Sequence, residues 1–113
     1  MIRNATKDTV LANKCVICSN LFTRGLGLMF RKKITPTILA FRKSSAASIH
    51  TFFMRKSIDV LFLDDCCRVT DLVRGLQPRK FYKPVQKAVF VLELPAGSIA
   101  KSRTAVGDVI NFK

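Results

Sequence analysis

Apolar and polar positions alternate with period two through most of this chain, the spacing of strands half-buried in a sheet. From Ile49 to Met54, His50, Phe52 and Met54 fall on one side of an extended backbone and Thr51 and Phe53 on the other. Val10 to Cys18 is rich in β-branched and small apolar residues, with Asn13 and Lys14 near its middle, and reads as one half-buried strand. Lys7-Asp8 ahead of it can turn a hairpin from Ile2–Asn4. Beyond the break at Pro36, Thr37–Phe41 places Leu39 and Phe41 on one face. Ser57 to Leu63 is nearly all apolar, and Asp64-Asp65-Cys66-Cys67 offers a turn before Val69–Val73, which makes this pair the clearest hairpin in the chain. Ala88–Leu94 is the strongest strand, ended by Pro95-Ala96-Gly97, and Gly107-Asp108 leads into a closing strand through Phe112.

Helical spacing is scarce. Ser19 and Asn20 are N-cap types ahead of Leu21, Phe22, Leu26 and Met29, which share one side of a short helix ending near Phe30 or Arg31. Gly25 and Gly27 weaken it by about 1 kcal/mol each relative to Ala, so it is brief. Ser98–Arg103 has room for one further helical turn. Lys43 to Ser48 is a small-residue loop, and Gln77 to Pro84 is a basic loop with Phe81 and Tyr82 inside it. Seven or so short strands with one short helix predict a mainly β (α+β) fold, a small closed or strongly curved β-barrel-like domain. At 113 residues the chain has material for a single domain over residues 1–113, with one modest core.

Composition narrows the class of function. The chain is 49% apolar, enough to offset conformational entropy by burial, so it folds. No run approaches the ~20 apolar residues that cross a bilayer as a helix. Met1 to Asp8 lacks the apolar core of a secretory signal, which points to a cytoplasmic protein. Cys15 and Cys18 are spaced by two residues, but Cys66 and Cys67 are adjacent and strain a shared tetrahedron, so neither a metal nor another cofactor is expected. The thiols read instead as small hydrophobes in a reducing compartment. The dominant signal is charge: 20 Lys and Arg face 7 Asp and Glu, a formal net charge of +13. The bases gather on either side of a neutral middle, in Arg24, Arg31, Lys32, Lys33, Arg42 and Lys43 and in Arg79, Lys80, Lys83 and Lys87.

Five segments occur in an order that carries a family signature: Gly27-Leu28-Met29-Phe30-Arg31, His50-Thr51-Phe52-Phe53-Met54, Ile58-Asp59-Val60-Leu61-Phe62-Leu63-Asp64, Val91-Leu92-Glu93-Leu94-Pro95-Ala96-Gly97 and Gly107-Asp108-Val109-Ile110. From about Val10 to Phe112 the chain resembles the domain of unknown function 192, an uncharacterised family of bacteria and archaea. The resemblance implies a single-domain, barrel-like β fold with a short helix, and it implies no reaction. Where members often carry Asp-Gly in the hairpin turn, this chain has Asp65-Cys66.

Two constellations compete as sites. Asp59 interrupts an apolar strand on the face of Leu61 and Leu63, and a carboxylate buried there must be hydrogen-bonded, paired or protonated. With His50, the sole histidine, and Arg31 it could form a small enzyme or ligand site. The structural reading, in which Asp59 accepts backbone N–H bonds or pairs with Arg24 or Arg31, is favoured. Glu93 resembles it, on the face of Val89 and Val91, whereas Asp108 after Gly107 reads as shaping a turn. The second constellation is the basic one, in which Arg24, Arg31, Lys32, Lys33, Arg79, Lys80 and Lys83 attract nucleic acid or another polyanion, or an anionic small ligand, and Phe81 and Tyr82 stack on exposed bases. No nucleophile turn or phosphate-cradling glycine motif accompanies either, so the protein is expected to be a binding module rather than an enzyme.

Overall fold

The computed structural model describes residues 1–13, 16–18, 37–45, 49–50, 57–77, 81–82 and 88–112, of which 16–18, 37–45, 49–50 and 81 enter by their backbone alone. The strands among them are β1 (Ile2–Asn4), β2 (Thr9–Ala12), β3 (Val16–Cys18), β4 (Thr37–Ser45), β5 (Ile49–His50), β6 (Ile58–Leu63), β7 (Val69–Leu76), β8 (Phe81–Tyr82), β9 (Ala88–Pro95) and β10 (Ile110–Asn111), with one helix, α1 (Ser98–Ser102). They form a five-stranded sheet in the order β3-β4-β9-β6-β7, a three-stranded sheet β10-β1-β2 and a two-stranded ladder β5-β8. β3 lies parallel to β4, and the other pairings are antiparallel.

The mainly β class is what the pattern predicts; barrel closure is not. A barrel needs every strand to find a neighbour on both sides in one continuous stagger. Here β3 and β7 end the large sheet without pairing each other, and a separate small sheet covers one of its faces. Register breaks between Ala40 and Ser45 on β4 and at two places between β6 and β7 interrupt the stagger further. The single strand expected from Val10 to Cys18 is also two: Asn13 bends the chain, so β2 joins the small sheet and β3 the large one. β4 runs on through Lys43–Ser45, which the pattern assigns to a loop, and β8 lies within the expected loop from Gln77 to Pro84. The helix expected near Leu21–Phe30 lies outside the described residues. The observed α1 is the turn foreseen at Ser98–Arg103.

β9 and β6 sit at the centre of the large sheet, so both of its faces are buried, and β6 is buried at all six positions. That is why Ile58–Leu63 reads as an unbroken apolar run rather than an alternation. One face gathers Leu61, Leu63, Leu92 and Leu94 against Ile2 of β1, Ile110 of β10 and Ile99 of α1. At its margin Phe90 meets Phe112 edge to face, with ring centroids 5.1 Å apart. The other face gathers Ile58, Val60, Phe62, Ala88 and Val91, with half-buried Val73 and Tyr82 against them. Each such Leu, Ile, Val or Phe contributes about 1.5–3 kcal/mol when removed from water. The hairpin between β6 and β7 turns as expected: the Cys67 N–H donates to the Asp64 carbonyl and Asp64 N–H to the Arg68 carbonyl, a three-residue loop with Cys67 left-handed at φ 60°.

Candidate functional site

All seven acidic residues lie within the described part of the chain, and their surroundings sort them. Asp59, 1% exposed, accepts three backbone N–H bonds: Oδ1 from Gly75 at 2.8 Å, and Oδ2 from Gly97 at 3.1 Å and Ile99 at 2.8 Å. Gly97, left-handed at φ 95°, is the N-cap of α1 and brings no side chain to cap it, so the carboxylate on β6 caps the helix from across the sheet. This is the structural role favoured from the sequence, filled among the described residues by backbone donors; Arg24 and Arg31 lie outside them. Asp64 does the same within its hairpin, its Oδ1 accepting from Cys66 N–H and Arg68 N–H at 2.9 Å.

Asp108 closes a buried polar network. Its Oδ2 accepts from Asn4 Nδ2 at 2.9 Å, Lys7 Nζ at 2.8 Å and Ala105 N–H at 3.0 Å. Asn4 also donates to Thr104 Oγ1, which shares a bond with Ser102 Oγ. Burial alone would raise the Asp108 pKa, but the bonds from Asn4, Lys7 and the Ala105 amide, with the Lys7 charge, outweigh it and hold the carboxyl below its usual range. It shapes its turn as the sequence suggests, and it also ties β1 to the far end of the chain, which local sequence does not reveal. Asp8 pairs with Arg3 across the first hairpin. Asp71 accepts from its own Leu72 N–H and from Tyr82 Oη, both at 2.8 Å. Asp65 stands exposed beside Cys66 and, with Asp64, pushes that thiol's pKa up, against a smaller opposing pull from Arg68.

Glu93 differs from the rest. It is 8% exposed, lies on the Val60 and Val91 side of the sheet, and makes no hydrogen bond or ion pair among the described residues. Burial pushes its pKa up to about 7. The register pairs Val60 with Glu93 and Asp59 with Leu94, so the two carboxyls of the central strands emerge on opposite faces. The sequence signal, an acid interrupting an apolar strand, is the same for both, and only the supply of donors separates them.

Of the basic constellation, Arg24, Arg31, Lys32, Lys33, Arg79, Lys80 and Lys83 lie outside the described residues. The backbone does show how their neighbours are arranged. Ser45 pairs with Ala88, Ile49 with Tyr82 and His50 with Phe81. Arg42 and Lys43 fall in the register break of β4, and Lys87 precedes Ala88 directly. Tyr82 is half-buried: its ring packs on Phe62 at 5.7 Å, tilted by 30°, and its hydroxyl is engaged by Asp71. That bond, burial and the Asp71 charge all raise the Tyr82 pKa. No helix among the described residues is long and apolar enough to cross a membrane.

Known relatives share this chain throughout. A UPF0127 protein of Thermococcus sibiricus is 36% identical over 116 residues, covering 100% of this chain and 75% of that protein. The UPF0127 protein PH1112 of Pyrococcus horikoshii is 38% identical over 114 residues, covering 99% and 98%. Two crystal structures share the fold at 18% identity and TM-score 0.81. One is a candidate transcription regulator from Sinorhizobium meliloti 1021, with 86% of this chain and 79% of that one covered. The other is a protein of unknown function from Novosphingobium aromaticivorans, with 87% and 74% covered. The model of the domain of unknown function 192, described as "Uncharacterized ACR, COG1430", matches residues 2–112, and the chain belongs to that uncharacterised family.

Proposed function

We propose that this protein is a binding module for a polyanion, nucleic acid foremost, and not an enzyme. The observation that carries the reading is the withdrawal of negative charge from the surface. Asp59, Glu93 and Asp108 are buried, and Asp64 and Asp71 have oxygens taken by backbone or tyrosine donors. A formal charge of +13 is therefore opposed at the surface by fewer carboxylates than the composition suggests. The β4–β9 register is in keeping with this, since it sets Arg42 and Lys43 in the break between the Ala40–Phe90 and Ser45–Ala88 pairs, directly ahead of which the sequence carries Lys87. A site centred on His50, Asp59 and Arg31 has less behind it, because both oxygens of the buried Asp59 already accept backbone N–H bonds.

The reading is tested by titrating labelled oligonucleotides, single-stranded and duplex, from about 20 to 200 mM salt, with heparin as competitor. Micromolar or tighter binding at low salt is expected, with log K falling linearly in log salt, as counterion release requires. Absence of binding to every polyanion at the lowest salt overturns it.

A further inference from the structure

Of the three buried acids, Asp59 and Asp108 have their oxygens met by donors, and Glu93 alone has no hydrogen bond or ion pair among the described residues. No titratable residue stands opposite it in either neighbouring strand, where the register places Thr37 of β4 and Val60 of β6, with Val73 of β7 next beyond Val60. An ionised carboxylate in such a place needs water. Within the sheet the way is closed, because β9, β4 and β6 are each paired along both edges. The face of the sheet offers less resistance. It gathers Ile58, Val60, Phe62, Ala88 and Val91, and the described side chain that packs there from outside the sheet is Tyr82. Its strand β8 is two residues long, and Tyr82 is held by its ring on Phe62 and one hydrogen bond to Asp71. An element with so few contacts opens at lower free energy than central strands. Asp71 and Tyr82 are the titratable groups of this face, and the raised Tyr82 pKa keeps the ring a phenol near neutral pH. His50, the sole histidine, stands in the same ladder as Tyr82.

We propose that Glu93 and Tyr82 form a proton-sensitive latch: while the Glu93 carboxyl holds its proton, β8 stays seated on the large sheet, and when the proton leaves, water enters beneath Tyr82 and β8 lifts away with the sheet still folded. The sign follows from burial, which pushes the seated carboxyl up to about 7 from an ordinary 4.5, so seating is strongest below 4.5 and weakens as pH rises through 7.

Tyr82 is the chain's sole tyrosine, so nitration by tetranitromethane, followed by peptide mass, reads this one position. Dividing the wild-type rate by that of Glu93→Gln at the same pH removes the reagent's own pH dependence. That ratio should rise about tenfold from about pH 6 to about pH 8.5, as a carboxyl moving from about 7 to 4.5 on opening requires. The wild-type rate should not change at urea concentrations too low to unfold the protein. Asp71→Ala, which removes the acceptor of the Tyr82 hydroxyl, should speed nitration at pH 6, and His50→Gln placed in both proteins should leave the rise intact. Circular dichroism confirms the fold of each variant before rates are scored. A ratio level across pH, a rise that disappears with His50→Gln, or no acceleration in Asp71→Ala overturns the latch. Nitration that climbs with urea in step with global unfolding overturns it too, and leaves Glu93 acting on the stability of the whole fold.

Discussion

Asp59 and Glu93 occupy neighbouring central strands and began as similar signals, yet their chemistry diverges with the donors around them. Asp59→Asn replaces one accepting oxygen with an amide that confronts the Gly97 and Ile99 N–H groups or the Gly75 N–H group. Leaving buried donors unmet costs about 1–3 kcal/mol each, so a loss of about 2–4 kcal/mol is expected in urea denaturation. A change below 0.5 kcal/mol would show that the helix does not depend on this cap. Glu93 carries the opposite pH signature to the usual carboxylate. Its folded pKa of about 7 exceeds the 4.5 of an ordinary glutamate, so its contribution to stability is complete below 4.5 and is lost as pH rises through 7. The shift corresponds to roughly 3 kcal/mol between those limits. Glu93→Gln should abolish that segment of the pH–stability curve, leaving the variant more stable than the wild type at pH 8 by a similar amount. Parallel curves for the two proteins would mean that Glu93 is ionised and partnered.

At the scale of elements, the strands are legible where the local pattern and the turn residues decide them, as in the Ile2–Asn4 hairpin and in the unbroken apolar run and Asp64–Cys67 turn of the β6–β7 hairpin. Asn13 interrupts Val10 to Cys18 plainly enough, but the pattern does not say that the halves join different sheets, because that depends on partners far along the chain. The acids of the motifs were visible as buried positions, and Asp59 and Asp108 as structural ones. That Asp59 caps α1 depends on the Gly97 and Ile99 amides, and its other oxygen on the Gly75 amide of β7, all written nowhere near it. Asn4 shows the same limit more sharply. It is an unremarkable polar residue in sequence and a fully buried joint in the fold, bonded to Asp108 and Thr104 and receiving Lys7 N–H. Asn4→Ala should cost about 2–3 kcal/mol. It should also raise the Asp108 pKa, measurable by carboxyl NMR titration; an unmoved pKa would assign the whole effect to Lys7 and the Ala105 amide.

For the molecule as a whole, charge and topology pull in separate directions. The surplus of lysine and arginine makes association steeply salt-dependent, with a slope near −0.7 per phosphate contact on single strands. Five contacts would give a slope of about −3.5, and a slope indistinguishable from zero would remove phosphate from the account of binding. Topology governs something else. Arg3 pairs with Asn111 and Asn4 with Ile110, so β1 lies between β2 and a strand nearly the whole chain away. A ribosome adding about 5–20 residues each second exposes Ile2 to Asn4 for roughly 5–20 s before β10 can reach them. During that interval the β1–β2 hairpin has one partner fewer, and Ile2 has no Ile110 to pack on. Folding of the small sheet therefore waits for Ile110 to be made, and a chain stalled short of it leaves an adhesive edge for chaperones or proteases to find.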